Sequence, residues 1–189
     1  MNIIFIRHSK TFIEPEKSIT LWGLSDKGIE LANVLSKTES IKSLQVIYTS
    51  LQTKALETAL YLAKPNGIPI RANNDFTEIT SFTNRFIANK KDYEKNIFDF
   101  YHDNIRNIEN GETYDESLER FNKALEQILV DEERNGIDDI GIVSHGNILA
   151  YFTAQYSNKS SYELHELIQM PDYAIFDWKT KKFTKFWGD

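Results

Sequence analysis

Short apolar segments alternate along the chain with longer segments in which apolar residues recur at helical spacing. Continuous apolar runs are typical of strands buried on both faces of a sheet, whereas helical spacing is typical of a helix packed on one side. The predicted core strands are residues 3–6, 46–48 and 140–144. Their alternation with helical segments predicts an α/β fold, with a mostly parallel central sheet covered on both faces.

Four helices are predicted from the helical spacing and from residues that favour helix ends. Ser25 is placed to cap the first helix, and Thr113 and Glu116 form a capping box at the start of the longest one. The pair Asn135-Gly136 ends that longest helix. The other three predicted helices span about residues 26–37, 51–63 and 147–155.

A short edge strand, a closing hairpin and one insertion complete the predicted architecture. Residues 68–72 are expected to form a short edge strand, and residues 173–178 and 182–187 a closing hairpin. Residues 79–112 lose a clear register, which predicts a small helical insertion over the working edge of the sheet. The chain is therefore expected to form one domain, residues 1–189, with a cap insertion at about 79–112.

The composition excludes several kinds of chemistry. The 189 residues include no cysteine, so disulfides, thiolate metal sites and cysteine nucleophiles are all excluded. A formal charge of −6 argues against a nucleic-acid partner, which would require a basic face. No apolar segment is long enough to span a membrane and the start has no leader pattern, so a cytoplasmic protein without a membrane partner is expected.

The candidate chemistry lies at the ends of two predicted strands. Arg7 and His8 follow the first strand, and His145 follows a later one. The ligand crevice of an open α/β sheet lies beyond the carboxyl ends of its strands, where these side chains are expected to meet. A local group of arginine, histidine and backbone N–H groups binds a small anion even in an acidic protein. Phosphate is therefore the candidate ligand.

Arg7, His8 and His145 belong to a larger ordered set of motifs. The set comprises Arg7-His8-Ser9-Lys10-Thr11, Leu24-Ser25-Asp26-Lys27-Gly28, the segment 50–59, Glu78, Gly111-Glu112-Thr113 and Ser144-His145-Gly146. In order and spacing it resembles the histidine phosphatase superfamily, the phosphoglycerate-mutase-like family. The resemblance covers nearly the whole chain and is more specific than any single motif. It implies a three-layer αβα sandwich and a reaction that needs no metal and no cofactor.

The resemblance also implies roles for four catalytic residues. His8 is implied to attack phosphorus and carry a transient phosphohistidine, which divides one displacement into two easier steps. Arg7 is implied to clamp two phosphoryl oxygens with its planar guanidinium, and His145 to hydrogen-bond the phosphoryl group. Glu78 is implied to protonate the leaving oxygen and later to activate water.

The sequence departs from the family pattern at two positions. Ser9 stands where the family has glycine, which adds a hydroxyl and a Cβ close to the phosphate and would either assist binding or obstruct it. Lys54 aligns with the family's second arginine and keeps the charge without the fork, so phosphate is expected to be held less rigidly. The expected consequence is a lower activity or an unusual substrate. The predicted phosphate-binding residues are Arg7, Ser9, Lys54 and His145.

The leading hypothesis is a metal-independent phosphatase that hydrolyses a small phosphorylated metabolite through phosphorylated His8. A mutase, which would return the phosphoryl group to a sugar acid, is an alternative, although the chain is short between Glu78 and His145. A degenerate member that binds a phosphorylated ligand without turnover is another, motivated by Ser9 and Lys54. The aromatic residues of the closing hairpin fit both packing on the core and pairing as a homodimer.

Overall fold

One mixed sheet lies at the centre of the protein. The computed structural model describes residues 1–79, 86–103 and 111–189. Its strands are β1 (Asn2–Arg7), β2 (Val46–Thr49), β3 (Ile70–Ala72), β4 (Asp139–Ser144), β5 (Asp172–Asp177) and β6 (Lys182–Lys185). The order is β3-β2-β4-β1-β5-β6, with parallel pairing from β3 to β1 and antiparallel pairing from β1 to β6. The predicted mostly parallel sheet with a short edge strand is therefore confirmed.

Helices cover the sheet on both sides. They are α1 (Asp26–Leu35), α2 (Glu39–Lys42), α3 (Thr53–Ala63), α4 (Lys90–Asp103), α5 (Tyr114–Arg134), α6 (Gly146–Ala154) and α7 (Ser161–Leu167). The cap of α1 by Ser25 and the capping box of α5 are both present. The apolar pattern does not predict α2, which is one turn long, or α7, which begins with a capping box of Ser160 and Glu163. Within the described residues, none of these helices is long and apolar enough to cross a membrane.

Strand β1 shows how a continuous apolar run builds two cores. Ile3 and Phe5 belong to one core, Ile4 and Ile6 to the other, and all four side chains are buried. Successive side chains of a strand point to opposite faces, so an uninterrupted run covers both faces. Helices α5 and α6 pack on the face of Ile3 and Phe5, and α1 and α3 pack on the other face. The predicted αβα sandwich is confirmed.

Helix α4 lies in the segment predicted as a helical insertion. Residues 80–85 and 104–110 of that segment lie outside the described residues. Tyr101 on α4 packs against Tyr151 on α6, with ring centroids 4.8 Å apart. A helix is therefore present in the predicted segment, and the extent of the cap, about 79–112, stays a prediction.

Strands β5 and β6 form the predicted closing hairpin. Trp187, which follows β6, is 2% exposed, and its indole N–H donates to Thr153 Oγ1 at 3.0 Å. Trp178, Phe183 and Phe186 are partly buried against the same core. The aromatic residues of the hairpin are therefore used for packing within the chain, and pairing as a homodimer stays a prediction.

Candidate active site

The carboxyl ends of β1 and β4 bring the two motif histidines together. The strands pair in parallel with Arg7 opposite Ser144, and the His8 N–H donates to the Ser144 carbonyl at 3.0 Å. The ring centroids of His8 and His145 consequently lie 5.1 Å apart. The structure thus places at one edge of the sheet two side chains that are far apart in sequence.

His8 is buried and has one defined tautomer. Its Nδ1 lies 2.8 Å from the carbonyl oxygen of Ser9, which can only accept, so Nδ1 carries the proton. Burial, together with the positive charges of Lys54 and Arg7, holds the pKa of His8 well below its usual range. The ring is therefore neutral near neutral pH, and Nε2 has no hydrogen-bond partner among the described residues. A bare imidazole nitrogen of this kind is a nucleophile.

His145 is fully buried and hydrogen-bonds through the opposite ring nitrogen. Its Nε2 lies 2.8 Å from Ser50 Oγ, which also accepts from the Gln52 N–H at 3.1 Å. We assign the Ser50 hydroxyl as the donor to Nε2, because this gives the hydroxyl both a donor and an acceptor as partners. Burial and the nearby cations lower the pKa of His145 well below its usual range. The neutral ring therefore carries its proton on Nδ1, which is buried without a partner in the described part of the chain.

A backbone carbonyl anchors one end of the Arg7 guanidinium. Its Nη1 donates to the Ile168 carbonyl at 2.5 Å, whereas Nε is buried and has no partner among residues 1–79, 86–103 and 111–189. Gly146 makes room for this side chain, because a Cβ there would lie 2.8 Å from Cζ and from Nη2 of Arg7. The glycine that follows His145 is therefore a packing requirement of the guanidinium. A buried N–H without a partner is costly unless a ligand satisfies it.

Lys54 lies in the first turn of α3, and its ammonium group interacts electrostatically with Arg7 and Glu78. It is 5% exposed, and Nζ donates to the Ile19 carbonyl at 3.0 Å. Burial lowers the pKa of Lys54 to about 8, with Glu78 opposing the change and Arg7 adding to it. The residue that the motif aligns with an arginine is thus a buried cation of the site.

Ser9 is buried, and its hydroxyl is engaged inside the protein. Oγ donates to the Gly28 carbonyl at 2.7 Å, and the Ser9 N–H donates to Thr58 Oγ1 at 3.0 Å. A Cβ on Gly28 would lie 2.0 Å from the Lys10 carbonyl oxygen, so the loop after β1 and helix α1 approach each other closely. The motif around Gly28 therefore supports the histidine loop, and a substrate contact of Ser9 stays a prediction.

Glu78 is held at the N-terminus of α6. Within the described residues it accepts from the N–H groups of Ile79, Asn147 and Ile148, each at 3.0 Å. The first N–H groups of a helix have no partner within the helix and favour a negative group beside them. Glu78 also acts electrostatically on Arg7 and Lys54. The carboxyl group therefore lies with the two cations, beside the helix that begins directly after His145.

The sequence match to a known family covers almost the whole chain. Residues 3–185 match the histidine phosphatase superfamily (branch 1). The chain belongs to this superfamily. The predicted resemblance is thereby confirmed, whereas no curated protein matches the chain by sequence.

Solved structures share the fold of this histidine phosphatase chain over nearly their whole length. It is similar to YhfR from Bacillus stearothermophilus, with a TM-score of 0.78 and 22% identity, over 100% of this chain and 96% of that chain. It is similar to mycobacterial glucosyl-3-phosphoglycerate phosphatase, with a TM-score of 0.76 and 15% identity, over 98% of this chain and 97% of that chain. It is also similar to the alpha-ribazole phosphatase from Shigella flexneri, with a TM-score of 0.70 and 18% identity, over 99% of this chain and 95% of that chain.

The motif analysis assigns no role to four of the groups in and around this site, although Ser50 lies in the quoted segment 50–59. They are Ser50, the Ile168 carbonyl, Asn147 and Tyr101, whose hydroxyl donates to Asn147 Oδ1 at 2.9 Å. Ser50 carries a usable signal, because it follows strand β2 as the two histidines follow β1 and β4. The Ile168 carbonyl and Tyr101 carry none, since both reach the site only through packing between distant segments.

Proposed function

We propose that this chain is a phosphatase that hydrolyses the phosphate monoester of a small metabolite through a phosphohistidine on His8. The observation that carries the proposal is a set of three nitrogens without partners among the described residues: His8 Nε2, His145 Nδ1 and Arg7 Nε. The first is a lone pair, and the other two are N–H donors. A phosphoryl group supplies an electrophilic phosphorus for the first and acceptor oxygens for the other two.

The first step transfers the phosphoryl group to the protein. The Nε2 lone pair of His8 attacks phosphorus, and the ester P–O bond breaks. Arg7, Lys54 and His145 stabilise the charge on the phosphoryl oxygens. Protonated Glu78 gives its proton to the leaving oxygen, so that a neutral alcohol departs. We assign that proton to Oε2, which accepts one backbone bond, whereas Oε1 accepts two.

The second step returns the phosphoryl group to water. The Glu78 carboxylate takes a proton from a water molecule, whose oxygen attacks phosphorus while the P–N bond breaks. The electron pair returns to Nε2 of His8, and inorganic phosphate leaves. One ester and one water thus give one alcohol and one phosphate, with the protein unchanged. Every role is filled by a side chain, so the proposal needs no metal ion.

The substrate class of the proposal is a small phosphorylated metabolite. Two proteins of similar fold are named glucosyl-3-phosphoglycerate phosphatase and alpha-ribazole phosphatase, and the two names differ in the group that carries the phosphate. The common requirement is the phosphoryl group, which is also what the three free nitrogens fit. A substrate panel should therefore vary the alcohol and keep the phosphate.

The test is hydrolysis of p-nitrophenyl phosphate and of such a panel, from acid to neutral pH with a chelator present. Wild type is expected to release inorganic phosphate, and His8→Ala to release none. Equal hydrolysis by wild type and His8→Ala would contradict the assignment of His8 as the nucleophile. Isomerisation of phosphoglycerate without phosphate release would favour a mutase, and binding without a phosphoenzyme would favour a degenerate member.

A further inference from the structure

The backbone that leads to Glu78 belongs to no strand and to no long helix. A single 3-10 turn, Asn74–Phe76, is followed by Thr77 in an extended conformation. Ser144 Oγ donates to the Phe76 carbonyl at 2.8 Å, and the Phe76 side chain is fully buried. A segment without a ladder of backbone hydrogen bonds depends on such side-chain contacts for its position.

Arg120 on α5 also contacts this segment with its side chain. Its Nη1 donates to the Asp75 carbonyl at 2.5 Å, and its Nη1 and Nη2 each lie 3.4 Å from the Thr77 carbonyl. The guanidinium thus binds the backbone on both sides of Phe76. Thr77 directly precedes Glu78, so the position of Arg120 bears on the position of the proposed acid.

Glu112 fixes the guanidinium from another side. Nε of Arg120 lies 2.6 Å from Oε1 of Glu112, and Nη2 lies 2.8 Å from Oε2. The two side chains are 18% and 24% exposed, and the paired bonds give the contact a direction that a single surface ion pair lacks. Glu112 ends the predicted insertion that starts just after Glu78, so Arg120 contacts the chain at both ends of that insertion.

We propose that Arg120 is a positioning residue for Glu78. Its fork, bound to Glu112, holds the carbonyls of Asp75 and Thr77 and thereby sets the Glu78 carboxyl against the leaving oxygen. This inference rests on the proposed function. Proton transfer requires close positioning of the acid, whereas the nucleophile His8 is held independently at the end of β1.

A misplaced acid slows only those substrates whose leaving group needs a proton. Nitrophenolate leaves phosphorus without one, whereas the alkoxide of an ordinary alcohol does not. The rate constant kcat/KM covers only the steps up to release of the leaving group, so it excludes the later activation of water, which also uses Glu78. The ratio of kcat/KM for the two esters therefore reports the acid specifically.

The experiment compares kcat/KM for p-nitrophenyl phosphate and for an alkyl phosphate that wild type hydrolyses. Arg120→Gln is expected to slow the alkyl ester about tenfold and to change the nitrophenyl ester less than about twofold. Glu112→Gln and Arg120→Lys are expected to shift the ratio in the same direction, and Glu78→Gln to shift it most. Lys123→Gln removes an exposed charge one turn further along α5 and is expected to leave the ratio unchanged.

Equal slowing of both esters by Arg120→Gln would overturn the inference. Full activity of Arg120→Lys would do the same, because it would assign the effect to the charge that Arg120 presents to His145 rather than to the fork. If Arg120→Gln does not fold, Glu112→Gln carries the same comparison of esters. Wild type that releases inorganic phosphate from no ester would contradict the proposed function and, with it, this inference.

Discussion

His8 and His145 are the same side chain in two different hydrogen-bond settings. Both are buried, and burial lowers the pKa of both, so both rings are neutral near neutral pH. His8 donates from Nδ1 to the Ser9 carbonyl and leaves a lone pair on Nε2, whereas His145 engages Nε2 with Ser50 and leaves a proton on Nδ1. The hydrogen-bond partner therefore decides which histidine offers a nucleophile and which offers a donor.

The two partners differ in how readily they are changed. The partner of His8 is a backbone carbonyl of the next residue, so no substitution removes it. The partner of His145 is the side chain of Ser50, which a single substitution deletes. The comparison is therefore open to experiment mainly from the side of His145.

The largest expected contrast is between His8→Ala and His145→Ala. Loss of His8 removes the nucleophile and is expected to lower kcat/KM for phosphate release by about 10⁴-fold or more. Loss of His145 removes one donor to the phosphoryl group, for which about 10²- to 10³-fold is expected. Steady-state kinetics on folded proteins, checked by thermal unfolding, measures both. Equal losses in the two variants would contradict the division of roles.

Gly146→Ala tests the arginine that lies against the His145 loop. The added Cβ would lie 2.8 Å from Cζ of Arg7, so the guanidinium is expected to shift and kcat/KM to fall about 10- to 100-fold. The free energy of unfolding is expected to change by about 1 kcal/mol, because only the end of one side chain must move. Gly141→Ala on β4 is the matched control, because a Cβ there would lie 2.8 Å from the Leu44 side chain, and it should affect stability rather than turnover. Equal losses of kcat/KM in Gly146→Ala and Gly141→Ala would contradict the assignment of the Gly146→Ala effect to Arg7.

The lowered pKa of Lys54 predicts that substrate affinity falls at alkaline pH. Burial lowers its pKa to about 8, so the ammonium loses its proton as the pH rises through that value, and KM is expected to increase there. Arg7 adds to that lowering of the Lys54 pKa, and Glu78 opposes it. Lys54→Arg stays charged, and the alkaline increase in KM is expected to disappear. The same increase in both proteins would assign it to another group.

Ser50→Ala gives the smallest expected effect and tests the tautomer directly. Without the hydroxyl, Nε2 of His145 loses its partner, and the ring is expected to become a mixture of tautomers. Activity should fall about fivefold, in keeping with the loss of about 1 kcal/mol from a single hydrogen bond. Nitrogen NMR of the imidazoles reports the tautomer, with His8 as the internal control. An unchanged His145 spectrum would show that Ser50 does not determine which ring nitrogen of His145 carries the proton.

The meeting of the two histidines could be predicted from the sequence because local pattern decides it. The apolar runs before His8 and His145 specify buried parallel strands, and such strands place their carboxyl ends at one edge of the sheet. Lys54 was predictable from its motif in the same way. The cap of α1 and the capping box of α5 were predictable because each depends on residues only three positions apart.

The contacts that orient these side chains could not be predicted in that way. The Ile168 carbonyl that anchors Arg7 and the Gly28 carbonyl that takes the Ser9 hydroxyl are backbone atoms, which leave no mark on residue type. The bond of Arg120 to the Asp75 carbonyl joins α5 to a loop 45 positions away in sequence. Such contacts follow from how packed layers meet, not from periodicity.

The most direct test of the account is to locate the phosphoryl group on the protein. Wild type and Glu78→Gln would be mixed with a hydrolysed phosphate ester, quenched in base and mapped by mass spectrometry. The account predicts phosphate on His8, accumulating in Glu78→Gln because the activation of water is impaired, and absent from His8→Ala. Phosphate on His145, or phosphate release with no phosphohistidine in either protein, would contradict it.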